Sequence, residues 1–204
     1  MIKVFQLNVG GFDHNFSYII HDTDNYDTAI IDPCGDINII ISTLNNLKKV
    51  VPKYILLTHG HHDHISGISE VRKFFPAKIA AHPLIQLQID TKLKNNETLP
   101  FGKTFIKAIY SPGHTEDSIL YLTGDNKSLF TGDTLFIDCC GYCNPEIMFK
   151  TMREIIFNLP NSCEVYSGHD YGRSPHAQLG KEKVTNPYLS AINYQQFKKA
   201  LNVL

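Results

Sequence analysis

The sequence lacks the features that mark nucleic-acid-binding, membrane and exported proteins. Lysine and arginine number 19 against 20 aspartate and glutamate, so the formal net charge of −1 predicts no basic face for nucleic acid or anionic lipid. The apolar run from Ile37 to Ile41 is too short to cross a membrane. Residues 1–9 lack the basic start and long apolar run of an export signal. We therefore expect a cytoplasmic protein without a nucleic-acid or membrane partner.

A disulfide framework is not expected either. The chain has five cysteines, and an odd number without an export signal argues against structural disulfides. The 204 residues are 43% hydrophobic and 19% charged, which is ordinary for a folded protein. These values predict one domain over residues 1–204 with a substantial core.

Short apolar or alternating runs, separated by turn residues, predict strands along most of the chain. They are Ile2 to Leu7, Phe16 to Ile20, Thr28 to Ile31, Lys53 to Leu57, Lys78 to Ala81, Thr104 to Ile109, Ser118 to Leu122, Ser128 to Phe130 and Glu164 to Tyr166. Helical patterns cover Ile37 to Leu47 behind an N-cap at Asp36, Ile65 to Phe75, His82 to Leu93, Pro145 to Leu159 and most of the chain from Ala177. Two strand-rich halves, each followed by helices, predict a layered α/β domain, although the pattern does not give the strand order.

Four of the ten histidines lie in the segment from Thr58 to His64, which reads THGHHDH. It follows a predicted buried strand, and on an extended backbone His59, His61 and Asp63 point the same way. His64 then begins the turn into the next helix. Imidazole and carboxylate ligands of this kind suit zinc, and also iron or manganese. Their fixed spacing on a rigid element favours a metal site over a solvated histidine tract.

Three later loops share one arrangement, in which a strand ends and a polar residue follows. These residues are His114, Asp133 and His169. Loops at strand ends are where layered α/β folds place their chemistry. Taken singly, a histidine after Pro-Gly is usually a surface residue and a Gly-Asp pair is usually a turn. Their order behind the first motif is what indicates a shared site.

Together these motifs resemble those of the metallo-β-lactamase superfamily, most closely its glyoxalase II (hydroxyacylglutathione hydrolase) and persulfide dioxygenase branches. Thr58 to His64 is similar to the signature His-x-His-x-Asp-His. The later motifs are matched in order by Pro112 to Thr115, Phe130 to Phe136 and Gly168 to Tyr171. The resemblance covers nearly the whole chain, including Ala29 to Pro33 near its start. It implies a four-layer αβ/βα sandwich with the metals in a cleft between two sheets.

The resemblance also implies a ligand set for two metal ions, which we expect to be zinc, with iron or manganese as alternatives. In glyoxalase II-like enzymes one ion would be held by His59, His61 and His114 and the other by Asp63, His64 and His169, with Asp133 bridging them. His62 falls at a variable position of the signature and is not expected to bind metal.

The implied reaction is hydrolysis of an acyl thioester, small or carrier-bound, by a hydroxide that bridges the two metals. Asp63 and Asp133 would orient that hydroxide as well as bind metal. A thiolate leaving group has a low pKa and needs little help from a general acid. Antibiotic hydrolysis is not favoured, because true metallo-β-lactamases usually carry a cysteine near the position that Asp133 occupies in this chain.

Which thiol carries the acyl group stays open. Both related branches tend to place a basic residue after the Cys-Gly that corresponds to Cys140-Gly141, whereas this chain has Tyr142. That difference weakens the case for glutathione. The case is weakened further because the chain ends at Leu204 without the additional helical region of glyoxalase II. Tyr171 matches a tyrosine that lines the thiol-binding cleft, and Arg173 is a candidate for an acidic group of the substrate. Coenzyme A, a low-molecular-weight bacterial thiol and a carrier-protein arm are the other candidates.

Two other functions compete with the hydrolase. A persulfide dioxygenase would use a single iron held by the residues matching His59, His114 and Asp133, since two histidines and one carboxylate leave positions open for O₂. A non-catalytic metal-binding protein would instead have a closed site. Cys140 and Cys143 have the spacing of a redox motif, but the pattern places them in a loop before Pro145. We therefore expect them to pack beside the cleft.

Overall fold

The computed structural model describes residues 1–201, and within them twelve strands form two mixed six-stranded sheets. The first sheet has the spatial order β1 (Ile2–Gly10), β2 (Asn15–Asp22), β3 (Asp27–Ile31), β4 (Val51–Leu56), β5 (Lys78–Ala81) and β6 (Thr91–Lys92). The second has the order β12 (His176–Gln178), β11 (Glu164–Ser167), β10 (Ser128–Gly132), β9 (Ile119–Thr123), β8 (Thr104–Tyr110) and β7 (Thr98–Phe101).

The helices of the first half are α1 (Ile37–Asn45), α2 (His62–Ile65) and α3 (Ile68–Phe74), and those of the second half are α4 (Pro145–Lys150), α5 (Leu179–Thr185) and α6 (Tyr194–Leu201). α4 continues into a π-helical turn (Thr151–Ile155) and a 3₁₀ turn (Ile156–Asn158). Capping residues fix where two of these helices, α1 and α4, begin. The Asp36 carboxylate accepts from the Asn38 amide before α1, and Asn144 accepts from the first amides of α4.

Three separate apolar clusters show that the chain is layered. Alternate residues of the first sheet, such as Ile19 and Ile30, pack on α1 and α3, while their neighbours Ile20 and Ile31 face the second sheet. The second sheet alternates likewise, and Leu120 packs toward α4 to α6. Each fully buried side chain of this size contributes about 1.5–3 kcal/mol. The layers are helix, sheet, sheet and helix, which confirms the predicted αβ/βα sandwich.

Strand direction brings five strand ends to one end of the sandwich. β3 and β4 are parallel, β10 and β11 are parallel, and β8 runs with β10 because β9 is antiparallel to both. The Ile119 amide donates to the Thr58 carbonyl oxygen at 2.9 Å and joins the two sheets there. The loops after these five strands therefore meet in one place.

The structure corrects several local predictions. The helix predicted over His82 to Leu93 is wrong, because this segment forms turns that lead into β6. The Ile79 amide donates to the Asp90 carboxylate at 2.8 Å, which holds the segment against β5 instead of letting it coil. Ala177 lies in β12 and not in a helix, and β7 had no counterpart among the predicted strands. Among residues 1–201, no helix has the length and apolar character needed to cross a membrane.

Candidate metal centre

The seven predicted ligands meet at the shared end of the two sheets. His59, His61, Asp63 and His64 follow β4, with His64 inside the short helix α2. His114, Asp133 and His169 follow β8, β10 and β11. Both sheets therefore contribute to one site, and neither sheet holds it alone.

The ring nitrogens of His64 and His169 need a cation between them. Their Nε2 atoms lie 3.2 Å apart. The Nδ1 of His64 faces the Asp32 carboxylate at 3.1 Å, and the Nδ1 of His169 faces the Asp13 carbonyl oxygen at 2.6 Å. Because both partners only accept hydrogen bonds, each Nδ1 carries the proton. In the neutral rings two Nε2 lone pairs then face each other, an arrangement that a proton or a metal ion relieves.

The same tautomer argument applies to the other histidines. His114 donates through Nδ1 to the Tyr142 carbonyl oxygen at 2.7 Å, which leaves its Nε2 free and 3.0 Å from Nδ1 of His61. The Nδ1 of His59 lies 3.1 Å from the hydroxyl of Thr58, which itself donates to Asp32. Hydrogen bonds behind metal-binding histidines fix ring orientation in this way. The geometry presents Nε2 of His59 and His114, but Nδ1 of His61.

Asp133 lies between the two groups of histidines. Its Oδ1 is 3.3 Å from Nε2 of His64, and its Oδ2 is 3.3 Å from Nε2 of His169 and 3.6 Å from Nε2 of His114. Oδ1 of Asp133 and Nε2 of His59 are buried and have no hydrogen-bond partner among residues 1–201. Buried polar atoms are costly unless they are satisfied, and a bound cation satisfies both.

Two donor groups emerge from these distances. One comprises His59, His61, His114 and Asp133, and the other comprises Asp63, His64 and His169, with the ligand atoms of each group within 4.8 Å of one another. A tetrahedral zinc site with bonds of about 2.0–2.1 Å places its ligand atoms about 3.3 Å apart. Within the first group His61 and His114 are 3.0 Å apart, and within the second the separations are 3.2–3.6 Å, which fit that size.

Residues outside the predicted set hold the ligands in place. Buried Asp32 accepts from the Thr58 amide at 2.8 Å and from the Thr58 hydroxyl at 2.6 Å, and also bonds His64. The Asn15 side-chain amide donates to Asp63 at 3.1 Å. Asp32 follows a predicted strand as the other loop residues do, so its position in the sequence could have indicated a place near the site. Asn15 is the first residue of β2, and nothing in its sequence position indicated a role in the site.

Burial and charge oppose each other in this site. Burial lowers the pKa of His59 well below its ordinary value. Burial acts the same way on His64, but the carboxylates of Asp133 and Asp32 outweigh it and hold the pKa of His64 well above the ordinary range. Burial favours the neutral form of Asp133, yet His64 and His169 hold its pKa well below the usual carboxyl value. Asp133 is therefore a carboxylate at neutral pH, as a metal ligand must be.

A glycine permits the close approach of the loops. A Cβ atom on Gly168 would lie 2.2 Å from Oδ1 of Asp133 and 2.8 Å from Cε1 of His64. Only a residue without a side chain lets the β11 loop approach the carboxylate this closely.

The three candidate substrate residues have different surroundings. Tyr142 is 94% exposed at the rim, and only its carbonyl contacts the site. Tyr171 stacks on His169 with the ring centroids 4.9 Å apart and donates to Asp13 at 2.5 Å. Arg173 pairs with the Asp138 carboxylate and with that of buried Glu182, so its guanidinium is already neutralised within the chain. These contacts tie Arg173 to Asp138 and Glu182 within the chain.

The site is open to solvent on the side of His61. The His61 side chain is exposed, and clefts beside His61, Asp63 and His114 are bordered by Leu84, Phe12 and Ile147 respectively. Phe12 is 92% exposed. This openness distinguishes the site from a closed structural metal site.

Comparisons with known proteins agree with this geometry. Residues 10–182 match the family model described as the metallo-beta-lactamase superfamily. A hydroxyacylglutathione hydrolase from Dictyostelium discoideum is 36% identical over 168 residues, which are 77% of this chain and 62% of that protein. The probable polyketide biosynthesis zinc-dependent hydrolase PksB from Bacillus subtilis is 31% identical over 91% of this chain and 86% of its own length. The mitochondrial persulfide dioxygenase ETHE1 from Bos taurus is 27% identical over 93% of this chain and 76% of its own length.

Proposed function

The chain belongs to the metallo-β-lactamase superfamily, and on that basis we propose that it is a metal-dependent hydrolase of acyl thioesters. The observation that carries the metal dependence is a pair of buried ligand atoms, Nε2 of His59 and Oδ1 of Asp133, that have no hydrogen-bond partner among residues 1–201. The thioester assignment draws support from the similarity to a hydroxyacylglutathione hydrolase. The open cleft supports catalysis over metal storage.

In this proposal the two donor groups hold two metal ions. His59, His61 and His114 would bind one ion, Asp63, His64 and His169 would bind the other, and Asp133 would contact both. When bound, two such ions lower the pKa of a coordinated water toward neutrality and polarise the substrate carbonyl. The donor set of imidazole and carboxylate fits zinc, and equally iron or manganese.

The side chains of the chain position the reactants. Asp63 is held by the Asn15 side chain, so one carboxylate oxygen has a fixed direction toward the centre. Asp133 is ionised at neutral pH and accepts the hydrogen bond of a water that attacks the carbonyl. The thiolate leaves without a dedicated acid, because its pKa is low. Asp63 and Asp133 are thus the proposed catalytic carboxylates.

The substrate is proposed to carry a thiol other than glutathione. The position after Gly141 holds Tyr142, and Arg173 is paired with Asp138 and Glu182, so neither offers a free cation to an acidic peptide. The exposed aromatic ring of Phe12 borders the cleft at Asp63 and suits a neutral, partly apolar arm. A small thioester or an acyl group on a carrier arm meets this description.

A matched pair of variants tests the proposal. His61 and His62 are adjacent exposed histidines, but only His61 belongs to a donor group. We expect H61A to lose metal from its centre and at least 100-fold of the rate against acyl thioesters of N-acetylcysteamine or coenzyme A, whereas H62A keeps both. Metal content and thiol release are measured on protein purified without added metal or chelator. Thioesterase activity that survives complete metal removal would refute the proposal.

The second candidate is a persulfide dioxygenase. The similarity to ETHE1 favours it, and His59, His114 and Asp133 form the two-histidine, one-carboxylate set that iron and O₂ chemistry need. It predicts one iron per chain and oxygen uptake with glutathione persulfide. The hydrolase predicts two ions, release of a free thiol and no oxygen uptake.

A further inference from the structure

The hairpin between β1 and β2 lies against one part of the donor set. Its turn, residues 11–14, is closed by the buried side chain of Asn15, whose Oδ1 accepts from the amides of Phe12 and Asp13 at 3.2 Å each. The side-chain nitrogen of Asn15 donates to Asp63 at 3.1 Å. A Cβ atom on Gly11 would lie 2.7 Å from Oδ1 of Asn15, so the turn packs directly on this amide. The turn that holds the amide oxygen therefore also fixes the direction of its nitrogen toward Asp63.

The same turn holds a second ligand through Asp13. The Asp13 carbonyl oxygen accepts from Nδ1 of His169 at 2.6 Å, and the Asp13 carboxylate accepts from the Tyr171 hydroxyl at 2.5 Å. The Tyr171 ring stacks on His169 with an interplanar angle of 3°. Beside them the Asp170 amide donates to the His14 carbonyl oxygen at 3.0 Å. The turn is thus bonded to the His169 imidazole and to the main chain next to it.

These contacts reach one of the two donor groups. Apart from the shared Asp133, the donors form an Asp63 group and a His59 group, which comprise Asp63, His64 and His169, and His59, His61 and His114, respectively. Asp63 and His169 bond residues of the hairpin, and His64 bonds Asp32. Among residues 1–201, no hydrogen bond or ion pair joins residues 11–15 to the His59 group. A shift of the hairpin therefore acts on the Asp63 group.

We propose that the β1–β2 hairpin, through Asn15 and Asp13, sets the metal affinity of the Asp63 group alone and thereby decides whether the centre holds one ion or two. The proposal rests on the proposed metal site but not on a thioester as the substrate. Displacement of the turn removes the outer partners of Asp63 and His169 together, while the His59 group keeps its own. Loss of such an outer partner typically weakens metal affinity about 10–100-fold.

The number of ions is what separates the two candidate functions. The proposed hydrolase needs both groups filled. With the Asp63 group empty, the donors that remain include His59, His114 and Asp133, the two-histidine, one-carboxylate set of the second candidate. Asn15 and Asp13 are thus positioning residues that act through metal ligands.

Removal of the Asn15 amide tests the proposal. We expect chelator competition on N15A to give one zinc affinity that falls about 10–100-fold and another that stays within about twofold of its value in the unmodified chain. At a zinc concentration that just fills both groups of the unmodified chain, N15A should hold close to one ion per chain. Equal losses in both affinities would indicate a general destabilisation and overturn the proposal. Two unchanged affinities, or an unmodified chain that binds a single ion, would overturn it as well.

A second variant makes the test independent of the burial of Asn15. Tyr171 is 44% exposed, and Y171F removes the hydroxyl that bonds Asp13 while keeping the ring on His169. Y171F should lower the same zinc affinity as N15A, by a smaller factor because Tyr171 lies further from the ligand atoms. Y142F is the matched control, since Tyr142 contacts the centre through its carbonyl oxygen, which this variant retains. Equal effects of Y171F and Y142F would contradict the proposal.

A fluorescent reporter assigns the affected group. The sequence has no tryptophan and Phe12 is 92% exposed, so F12W places a single indole on the turn. Zinc should change its emission in the binding step that N15A weakens, and this step should persist when H61A removes a ligand of the His59 group. Emission that follows the other step, or neither step, overturns the proposal. Because the readouts are zinc affinity and emission, a lack of thioesterase activity would count against the proposed function and not against the role of the hairpin.

Discussion

Replacing Asp32 by asparagine should weaken the metal centre without touching a ligand. The Asp32 carboxylate accepts from the Thr58 amide, the Thr58 hydroxyl and Nδ1 of His64, at 2.8, 2.6 and 3.1 Å. Asparagine preserves size and tolerates the left-handed backbone at this position, where φ is 47°. In the orientation that keeps the bond from the Thr58 amide, however, its amide nitrogen would face two donors, the Thr58 hydroxyl and Nδ1 of His64. The change isolates charge and hydrogen bonding from backbone strain.

The magnitude follows from the bonds that are lost. Two hydrogen bonds to a charged group contribute about 1.5–3 kcal/mol each, so D32N should reduce the free energy of unfolding by about 3–6 kcal/mol. For a chain of this size each kcal/mol lowers Tm by about 2–4 °C. His64 also loses the partner that fixes its Nδ1 proton, and we expect zinc affinity to fall about 10–100-fold.

Two assays and one control decide the prediction. Tm is measured by calorimetry on metal-free protein, and zinc affinity is measured by competition with a chelator. D36N is the control, because Asp36 is an exposed N-cap and asparagine caps helices equally well. If D32N binds zinc as tightly as D36N does, Asp32 does not orient His64 and the account of the outer contacts is wrong.

Three more predictions concern the centre and its surroundings. G168A should lose at least tenfold in zinc affinity, because its methyl group would displace Asp133, and an unchanged metal content would disprove the close approach. In metal-free protein the raised pKa of His64 contributes stability that is complete below about pH 6.5 and is lost as the pH rises through the folded value. Tm should therefore fall as the pH rises above 6.5, and H64Q should remove that component of the slope. R173M should reduce the free energy of unfolding by about 1.5–3 kcal/mol, since it removes the charged hydrogen bond to buried Glu182, while KM for thioesters stays within about twofold. A large rise in KM at unchanged stability would instead give Arg173 a substrate role.

The sequence was most informative where one short segment carries several constraints. THGHHDH has fixed spacing, follows an apolar strand and precedes a helix, so a metal site at this segment could be predicted from the sequence. The αβ/βα sandwich was implied by the resemblance of this segment and of the later motifs to the metallo-β-lactamase superfamily. The match to the family model over residues 10–182 confirms the suspected superfamily. The ligand assignment itself stays a prediction until metal binding is measured.

What could not be predicted depends on contacts between distant segments. The turns after His82 form because Asp90 accepts from the Ile79 amide, a bond that local propensity does not encode. The role of Asn15 arises only when β2 comes to lie beside the loop of Asp63. Tyr142 was considered for its side chain, whereas its contact with the site is made by a carbonyl oxygen. Every residue has a main-chain carbonyl, so the residue type does not indicate a contact made by that group.

The division of the ligands between the two sheets makes each bound ion a cross-link as well as a cofactor. His64 and His169, which face each other at 3.2 Å, are 105 residues apart in the chain. An ion bound by both closes a loop of that length, and the entropy of closure has already been lost once the sandwich has assembled. We therefore expect a metal ion to bind after the two halves have joined, when that entropy no longer opposes binding. A metal ion that binds only the folded state stabilises that state against unfolding. We therefore expect the metal-bound protein to unfold more slowly than the metal-free protein.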